Sequence, residues 1–342
     1  MSRKSYEKAL NEALRQEMRR DPRVIVAGVD VASGCTSAAA DAPGDENAGG
    51  VLGVTGGLFQ EFGPSRVIET PISESATIGM CTGAACTGLR PVVDLMFVDF
   101  LGVCFDQIFN QAAKLRYMFG GKAEVPLVIR AMVGAGLNAG AQHSQMLHSI
   151  FTHIPGLKVV LPSTPYDAKG LLITAIRDDD PVIFLEHKGL YEIQEDVPDE
   201  PYTIPFGEAN LILEGDQVTV IAFSKMVHVA RAAIEALSQE SISIELLDPR
   251  TTSPLDEQSI LESVEKTGRV VIVDEGNPRC GIAADVASLL TNKVFHTLKA
   301  PIDLVTAPHT PVPFSPTLEK AYVPTVEKVT AAVRRVVSYR QK

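Results

Sequence analysis

The segment Val24-Ile25-Val26-Ala27-Gly28-Val29 decides the fold, because it is apolar at every position. A strand with no polar face must be covered on both sides, which is typical of a parallel sheet with helices above and below it. Similar short apolar runs follow along the chain at residues 91–96, 125–132, 157–161 and 182–185. We therefore predict that the first part of the chain folds as a doubly wound α/β sheet.

Segments with helical periodicity alternate with these runs, at residues 6–19, 73–88, 102–119, 144–152 and 165–178. Residues 191–202 are acidic and contain proline, which predicts a linker. Beyond it a second alternating series begins, with strands at residues 218–223, 243–247, 270–273 and 302–305 and helices at residues 227–238, 256–267, 281–290 and 325–340. Two α/β domains are therefore predicted, residues 1–200 and residues 201–342.

Composition and charge exclude several classes of protein. The 342 residues carry a formal net charge of −11, which argues against nucleic acid as a partner and permits attraction to a basic protein. No apolar run approaches the roughly 20 residues that cross a bilayer, and the N-terminus does not resemble a signal peptide. We therefore expect no membrane contact and a cytoplasmic location.

Two further features concern small residues and thiols. Residues 32–50 are rich in Gly, Ala, Ser and Asp, which predicts a mobile loop.

The cysteines form no CxxC pair, so buried reduced thiols are expected rather than a zinc site or a disulfide framework. They are Cys35, Cys81, Cys86, Cys104 and Cys280.

The segment Glu69-Thr70-Pro71-Ile72-Ser73-Glu74 stands before a predicted helix that is rich in small residues. Pro71 bars helix before it and Ser73 is a good N-cap, which places Glu74 in the first helical turn. On local grounds the Glu74 carboxylate complements the helix dipole, as acids in first turns commonly do. The alternative is that this carboxylate performs proton chemistry on a bound ligand.

A glycine-rich loop at residues 134–140 follows a predicted strand and leads into His143. It lacks the GxGxxG spacing of a dinucleotide site, and the chain has no P-loop, so a nicotinamide dehydrogenase or a P-loop enzyme is a weak alternative. Because ligands of parallel sheets bind beyond the carboxyl ends of the strands, His143 suits an active-site position. The alternative is a histidine that only hydrogen-bonds locally.

Two other segments could bind ligands. Residues 95–100, Leu95-Met96-Phe97-Val98-Asp99-Phe100, place aromatic and sulfur side chains at a strand end, where they could stack on a planar ring or belong to the core. The acidic run Asp178-Asp179-Asp180 could bind a hard cation or be solvated. Neither alternative is settled by these segments alone.

Several longer motifs, in order along the chain, resemble a known family. They are Thr70-Pro71-Ile72-Ser73-Glu74, Gly88-Leu89-Arg90-Pro91, Phe105-Asp106-Gln107-Ile108, Ala141-Gln142-His143-Ser144-Gln145, Pro155-Gly156-Leu157-Lys158-Val159-Val160 and Asp167-Ala168-Lys169-Gly170-Leu171-Leu172. Over essentially its whole length the chain is similar to the β subunit of the thiamine-diphosphate-dependent dehydrogenase component of 2-oxo acid dehydrogenase complexes. Within that family, residues 94–100, 117–123 and 151–156 look most like acetoin dehydrogenase.

The resemblance implies a fold and roles for site residues. It implies an N-terminal pyrimidine-binding domain and a C-terminal transketolase-like α/β domain. Glu74 corresponds to the family glutamate that hydrogen-bonds the aminopyrimidine of thiamine diphosphate and thereby helps to generate the ylide. Ile72, Met96 and Phe100 fall where the family packs that ring, and His143 matches a histidine near the substrate.

The resemblance also implies metal ions and partners. Related β subunits hold a structural potassium ion with main-chain carbonyls, which here correspond to Leu127, Ala175, Asp178 and Asp180. This chain lacks the Gly-Asp-Gly motif that binds the diphosphate through Mg²⁺. An α subunit must therefore supply that half of the site, which implies an α₂β₂ heterotetramer.

The activity implied for the acetoin branch is ylide attack on acetoin, carbon–carbon cleavage to acetaldehyde, and transfer of the two-carbon unit to a lipoyl group of the acyltransferase component. Pyruvate or branched-chain 2-oxo acids are the alternative substrates. A non-catalytic assembly subunit, in which Glu74 has only a helix-terminal role, is the alternative of a different class.

Overall fold

The computed structural model describes residues 1–32 and 49–340. Most of the predicted mobile loop at residues 32–50, including Cys35, lies outside these residues. The chain forms two compact units. The first comprises Met1–Val133, His153–Glu186 and Leu190–Pro205, and the second comprises Gly134–Thr152, His187–Gly189 and Phe206–Lys342. The division of the sequence near residue 200 stays a prediction.

Strands and helices alternate in both units, as the sequence predicts. The strands are β1 (Ser2–Ser5), β2 (Val24–Gly28), β3 (Val67–Glu69), β4 (Arg90–Phe97), β5 (Val128–Val133), β6 (Lys158–Val160), β7 (Val182–His187), β8 (Gln194–Val197), β9 (Asn210–Leu213), β10 (Val218–Ala222), β11 (Ile244–Asp248), β12 (Thr251–Ser253), β13 (Val270–Asp274) and β14 (Asp303–Thr306). The α-helices are α1 (Tyr6–Arg20), α2 (Leu58–Phe62), α3 (Glu74–Cys86), α4 (Leu101–Asp106), α5 (Ala113–Met118), α6 (His148–Thr152), α7 (Pro165–Arg177), α8 (Met226–Ala236), α9 (Glu257–Thr267), α10 (Ile282–Val294), α11 (Pro316–Tyr322) and α12 (Val326–Ser338).

The first unit contains a sheet with the strand order β6-β7-β5-β4-β2-β3. The pairs β2–β3, β2–β4, β4–β5 and β6–β7 are parallel. All five residues of β2 are buried, as expected for a strand covered on both faces. The strand order reverses around β2 and β4, so the carboxyl ends of these neighbouring strands form the edge where a ligand is expected.

The second unit contains a sheet with the order β14-β13-β10-β11-β9. Strands β10, β11, β13 and β14 pair in parallel, and β9 pairs antiparallel at the edge. Apolar residues of β10 alternate between two core clusters, one packed against α8 and α12 and the other against α9 and α10. Alternation along a strand places the clusters on opposite faces of the sheet. The predicted α/β class is confirmed for both units.

Three predicted elements differ from the structure. The predicted linker at residues 191–202 contains β8, which pairs antiparallel with β1 through contacts such as Ser2 with Val197. The predicted helix at residues 144–152 begins only at His148. Residues 144–147 belong to no helix or strand, and the Gln145 carbonyl accepts a 3.0 Å hydrogen bond from the Gly134 amide, a contact distant in sequence that competes with the helical turn. The predicted helix at residues 102–119 is interrupted by a π-helical segment, Gln107–Ala112.

The sequence also predicts that the chain makes no membrane contact. Within residues 1–32 and 49–340, no helix is both long and apolar enough to cross a membrane. The predicted cytoplasmic location stays a prediction.

Candidate active site

A narrow cleft in the first unit lies where β2 and β4 end and α3 begins. It brings together two of the predicted site residues, Glu74 and Met96. The residues that line it are Gly28, Val29, Thr70, Glu74, Thr77, Ile78, Val93, Asp94, Leu95 and Met96. A cleft at the carboxyl ends of parallel strands is the expected position for a ligand site of an open α/β sheet.

Glu74 is the first residue of α3 and is half-buried. Ser73 occupies the N-cap position as predicted, but its side chain makes no capping hydrogen bond. Within the described part of the chain, no side chain or backbone group hydrogen-bonds or ion-pairs with the Glu74 carboxylate. A half-buried carboxylate without a protein partner can accept hydrogen bonds from a ligand or from water. Its position is therefore compatible with ligand chemistry and with a helix-terminal role.

The cysteines of the described residues divide into two kinds. Cys81 and Cys104 are buried, as predicted, but Cys86 and Cys280 are exposed, which corrects the expectation that all the thiols are buried. Burial raises the pKa of Cys81 to about 12. Burial, together with the charge of Glu74, raises the pKa of Cys104 to about 12. Both thiols are therefore neutral packing groups, Cys81 within α3 and Cys104 within α4.

Met96 lies at an irregularity of β4. The register between β4 and β5 shifts between Asp94 and Phe97. Met96 has φ +64°, a left-handed conformation that is rare for residues other than glycine. Such residues cluster at ligand sites, where the surrounding structure holds them in place.

The two other residues predicted to pack the ring lie outside this cleft. Phe100 is half-buried, and its ring packs edge-on against Phe97 at a centroid distance of 5.8 Å. Ile72 is 80% exposed in the segment before α3. Their assignment to a cofactor ring stays a prediction.

His143 belongs to the second unit, in a turn that follows the glycine-rich loop. Its side chain is half-buried. The Lys188 ammonium donates hydrogen bonds to the His143 carbonyl oxygen and to the Ser144 hydroxyl, the second at 3.3 Å. The backbone that carries the imidazole is therefore tethered by a buried charged group.

Two buried histidine–carboxylate pairs in the second unit were not predicted from the sequence. His187 Nε2 lies 2.8 Å from Glu275 Oε2, and Glu275 Oε1 accepts a 2.6 Å hydrogen bond from the Ala135 amide. His148 Nε2 lies 3.3 Å from Asp274 Oδ2. Burial acts to raise the pKa of Glu275, but the neighbouring His187 and the Ala135 hydrogen bond outweigh it and hold that pKa below its ordinary value.

A signal for these residues exists in the sequence. Asp274 and Glu275 follow the apolar run at residues 270–273, and Glu186 and His187 follow the apolar run at residues 182–185. Polar residues that come directly after a buried parallel strand often face a site at the end of the sheet. The sequence does not reveal which of them pair with each other.

The carbonyls predicted to hold potassium are engaged by protein groups. The Leu127 carbonyl accepts a 2.9 Å hydrogen bond from the Val182 amide. The Asp178 carbonyl accepts a 2.8 Å hydrogen bond from Arg90 Nη2. The Ala175 carbonyl accepts a hydrogen bond from the Asp178 amide. The remaining member, Asp180, uses its carboxylate to pair with Arg116 and Lys158. Carbonyl oxygens have a second lone pair, so the potassium site stays a prediction.

Both halves of the chain match known protein families. The family model described as the transketolase pyrimidine binding domain matches residues 2–194, and that described as the transketolase C-terminal domain matches residues 207–329. A solved structure described as a split-gene transketolase, an inactive β4 tetramer, has a TM-score of 0.78 over 98% of this chain and 99% of that chain. At 21% identity this likeness concerns the fold. The fold and the cleft thus define a transketolase-like protein.

Relatives of high sequence identity show which family of transketolase-like proteins this chain belongs to. The β subunits of acetoin:2,6-dichlorophenolindophenol oxidoreductase from Cupriavidus necator and Bacillus subtilis are 58% and 55% identical, over 98% and 96% of this chain and 98% and 95% of their own lengths. The pyruvate dehydrogenase E1 component subunit beta of Rickettsia felis is 44% identical over 97% of each chain. The chain belongs to the β-subunit family of the thiamine-diphosphate-dependent dehydrogenase component of 2-oxo acid dehydrogenase complexes, and its identity to these two acetoin oxidoreductase β subunits exceeds its identity to the pyruvate dehydrogenase subunit.

Proposed function

We propose that this chain is the β subunit of an acetoin dehydrogenase and that its Glu74 cleft receives the aminopyrimidine ring of thiamine diphosphate. The observation that carries the proposal is the Glu74 carboxylate, which is half-buried at the start of α3 and has no protein partner in the described part of the chain. A ring with exchangeable N–H groups gives this carboxylate the hydrogen bond that the protein does not provide.

The residues of the cleft fit such a ring. Met96 supplies a polarisable thioether, which packs well against an aromatic edge. Ile72 and Phe100 are assigned to the same ring by resemblance to the family. When bound, thiamine diphosphate supplies a carbon nucleophile for carbonyl groups. Glu74 holds or releases a proton at its carboxyl oxygen, and glutamine in its place could bind the ring but could not exchange that proton.

We assign to His143 the role of stabilising charge or carrying a proton near the substrate. Histidine exchanges protons near neutral pH, which suits this role. The hydrogen bond from Lys188 to the His143 carbonyl supports the assignment, because a fixed backbone limits the positions that the imidazole can reach.

The proposed reaction is cleavage of acetoin to acetaldehyde and transfer of the remaining two-carbon unit to a lipoyl group of an acyltransferase component. Two relatives above 50% identity are acetoin oxidoreductase β subunits, which favours acetoin as substrate. Pyruvate and branched-chain 2-oxo acids remain the alternatives, since a pyruvate dehydrogenase β subunit is 44% identical.

The proposal includes partners. This chain has no Gly-Asp-Gly motif, so an α subunit would hold Mg²⁺ and the diphosphate, and the working unit would be an α₂β₂ heterotetramer. Potassium bound to the carbonyls of Leu127, Ala175, Asp178 and Asp180 belongs to the same proposal. The acidic net charge of −11 suits a basic binding segment on the acyltransferase component.

The experiment is Glu74→Gln in the heterotetramer reconstituted with the α subunit. Turnover should fall by about 10²-fold or more, the range for losing a general acid or base, while the heterotetramer still forms. Glu257→Gln is the matched control, because Glu257 is also the first residue of an α-helix, α9, and is exposed. It should leave turnover unchanged.

Full activity of Glu74→Gln would contradict the catalytic assignment and favour a non-catalytic assembly subunit. Acetoin and pyruvate should be compared as substrates in the same reconstituted enzyme. A higher kcat/KM for pyruvate than for acetoin would refute the substrate assignment while leaving the role of Glu74 intact.

A further inference from the structure

The left-handed conformation of Met96 needs a structural cause. In a regular strand the Met96 amide would point to a neighbouring strand, but β4 shifts register against β5 between Asp94 and Phe97. A methionine at φ +64° is sterically strained, unlike glycine. It persists only where other contacts hold it.

The Asp94 side chain provides that contact. Asp94 Oδ1 accepts a 2.8 Å hydrogen bond from the Met96 amide, two residues further along the chain. A short side-chain acceptor that bonds the backbone in this way offers an alternative to the strand ladder. Asp94 Oδ2 accepts from Arg130 Nη1 at 3.3 Å. One carboxylate therefore joins the Met96 backbone to a buried guanidinium.

Arg130 is itself fixed. It is 3% exposed, and its guanidinium donates to both carboxylate oxygens of Glu186, at 2.6 and 2.8 Å. The Tyr191 hydroxyl donates a 2.5 Å hydrogen bond to the same carboxylate. A bidentate pair restricts the direction of the guanidinium, so Arg130 offers Asp94 a donor at a defined place. We call Asp94, Arg130, Glu186 and Tyr191 the Arg130 network.

The Arg130 network reaches the cleft only through Asp94. Asp94, Met96 and Glu74 all line the cleft, whereas Glu186 and Tyr191 do not. Gly28 lies opposite Asp94 on the neighbouring strand, and a Cβ on Gly28 would lie 2.9 Å from the Asp94 carbonyl oxygen. The backbone of Asp94 is thus closely confined on the β2 side, while its carboxylate is confined by Arg130.

We propose that Asp94 is a positioning residue for the cofactor ring: anchored by Arg130, it holds Met96 in the left-handed conformation that places the thioether in the cleft beside Glu74. Because the ring-binding role of Met96 is part of the proposed function, the effect on cofactor binding rests on it. The effect of Asp94 on the Met96 backbone conformation is independent of the proposed function.

Cofactor affinity is the first readout, measured by calorimetry as the Kd of thiamine diphosphate with excess Mg²⁺ in the reconstituted heterotetramer. Asp94→Ala should raise this Kd by about 10-fold or more, equivalent to about 1.4 kcal/mol of binding free energy. Glu17→Ala is the matched control, because Glu17 is a buried carboxylate of the same unit that pairs with Arg177 away from the cleft. It should lower thermal stability and change Kd by less than about twofold. Equal effects of the two variants on Kd would overturn the proposal.

A double-mutant cycle separates positioning from general damage. Glycine at position 96 needs no help to adopt φ +64°, so the Asp94→Ala change should have little further effect on Kd in a Met96→Gly background. If Asp94→Ala weakens binding equally in both backgrounds, Asp94 does not act through Met96. Should Asp94→Ala fail to assemble, Asp94→Asn takes its place in the cycle, with a smaller rise in Kd and the same required coupling.

Hydrogen exchange of the Met96 amide is the second readout and does not need the cofactor. Its protection should fall at least tenfold in the Asp94 variant and stay unchanged in Glu17→Ala. Unchanged protection would overturn the positioning role of Asp94. Failure of the wild-type heterotetramer to bind thiamine diphosphate would instead refute the proposed function, so the two failures are distinguishable.

Discussion

Removing one charge from the Arg130 network should strongly destabilise the first unit. Arg130→Met keeps a long apolar side chain but leaves the Glu186 carboxylate, 1% exposed, without its bidentate partner. Among residues 1–32 and 49–340, the Tyr191 hydroxyl is then the one remaining hydrogen-bond partner of this carboxylate. Breaking a buried ion pair by removing one partner costs about 3–5 kcal/mol, because the other charge stays desolvated. We expect a loss of that size in the free energy of unfolding.

The assay is urea unfolding at fixed protein concentration, followed by far-ultraviolet circular dichroism, with the loss taken from the shift in midpoint at unchanged slope. The double variant Arg130→Met/Glu186→Leu removes both charges. Because apolar replacement of a whole buried pair is often close to neutral, the double variant should regain about 2 kcal/mol or more.

Two results would refute this reasoning. One is a loss below about 1 kcal/mol for Arg130→Met, which would mean that Glu186 is effectively solvated or neutral in the folded protein. The other is additivity, with the double variant as unstable as the sum of the two single variants, since residues that share one buried bond must show coupling.

Three further outcomes can be checked. Arg23 beside Asp21 holds the pKa of the Asp21 carboxyl at about 2. The ionised Asp21 therefore stabilises the folded chain fully above the unfolded-state pKa of about 3.9, and this stabilisation is lost as pH falls towards 2. Asp21→Asn should cost about 1–2 kcal/mol in the free energy of unfolding, measured in urea at pH 7, and little at pH 2. Gly156→Ala, at φ +99° with its new Cβ 2.0 Å from the Ala113 carbonyl oxygen, should lose more than about 2 kcal/mol, and a well-folded variant of unchanged melting temperature would contradict the geometry. Gly83→Ala lies in α3, and among the residues that the structure describes no atom outside the local helix comes within 4 Å of the new Cβ. The substitution should therefore stabilise the isolated chain by about 0.5–1 kcal/mol, and weaker heterotetramer assembly measured by ultracentrifugation would reveal a partner packed on α3.

Local patterns predicted the elements that have a buried face and a clear period. The run at residues 24–29 became the fully buried strand β2, and the helix predicted at residues 165–178 became α7. The proline and serine before Glu74 placed the start of α3 correctly. These predictions hold because a helix or strand with a buried face has apolar residues at a regular spacing, which can be recognised within a few helical turns or a few strand residues.

The candidate site was only partly readable in this way. The sequence predicts Glu74 and Met96 as site residues, and the structure places both in one cleft. The left-handed backbone of Met96 and its hydrogen bond to Asp94 were not foreseen, since nothing in an apolar strand pattern marks a register shift. The pairing of β1 with β8 was missed for a related reason, because it joins residues almost two hundred positions apart.

The sequence by itself determined the α/β class, the order of the main strands and helices, and the chemical character of the cleft through Glu74. These properties depend on local periodicity and on the chemistry of individual side chains, both of which can be read directly from the sequence. Only the tertiary structure decided that Arg130, Glu186 and Tyr191 share one buried bond system with Asp94. The charges of Arg130, Glu186 and Asp94 are tolerated there because each has an oppositely charged partner on another strand. Such pairing is a property of the folded chain and leaves no local pattern in the sequence.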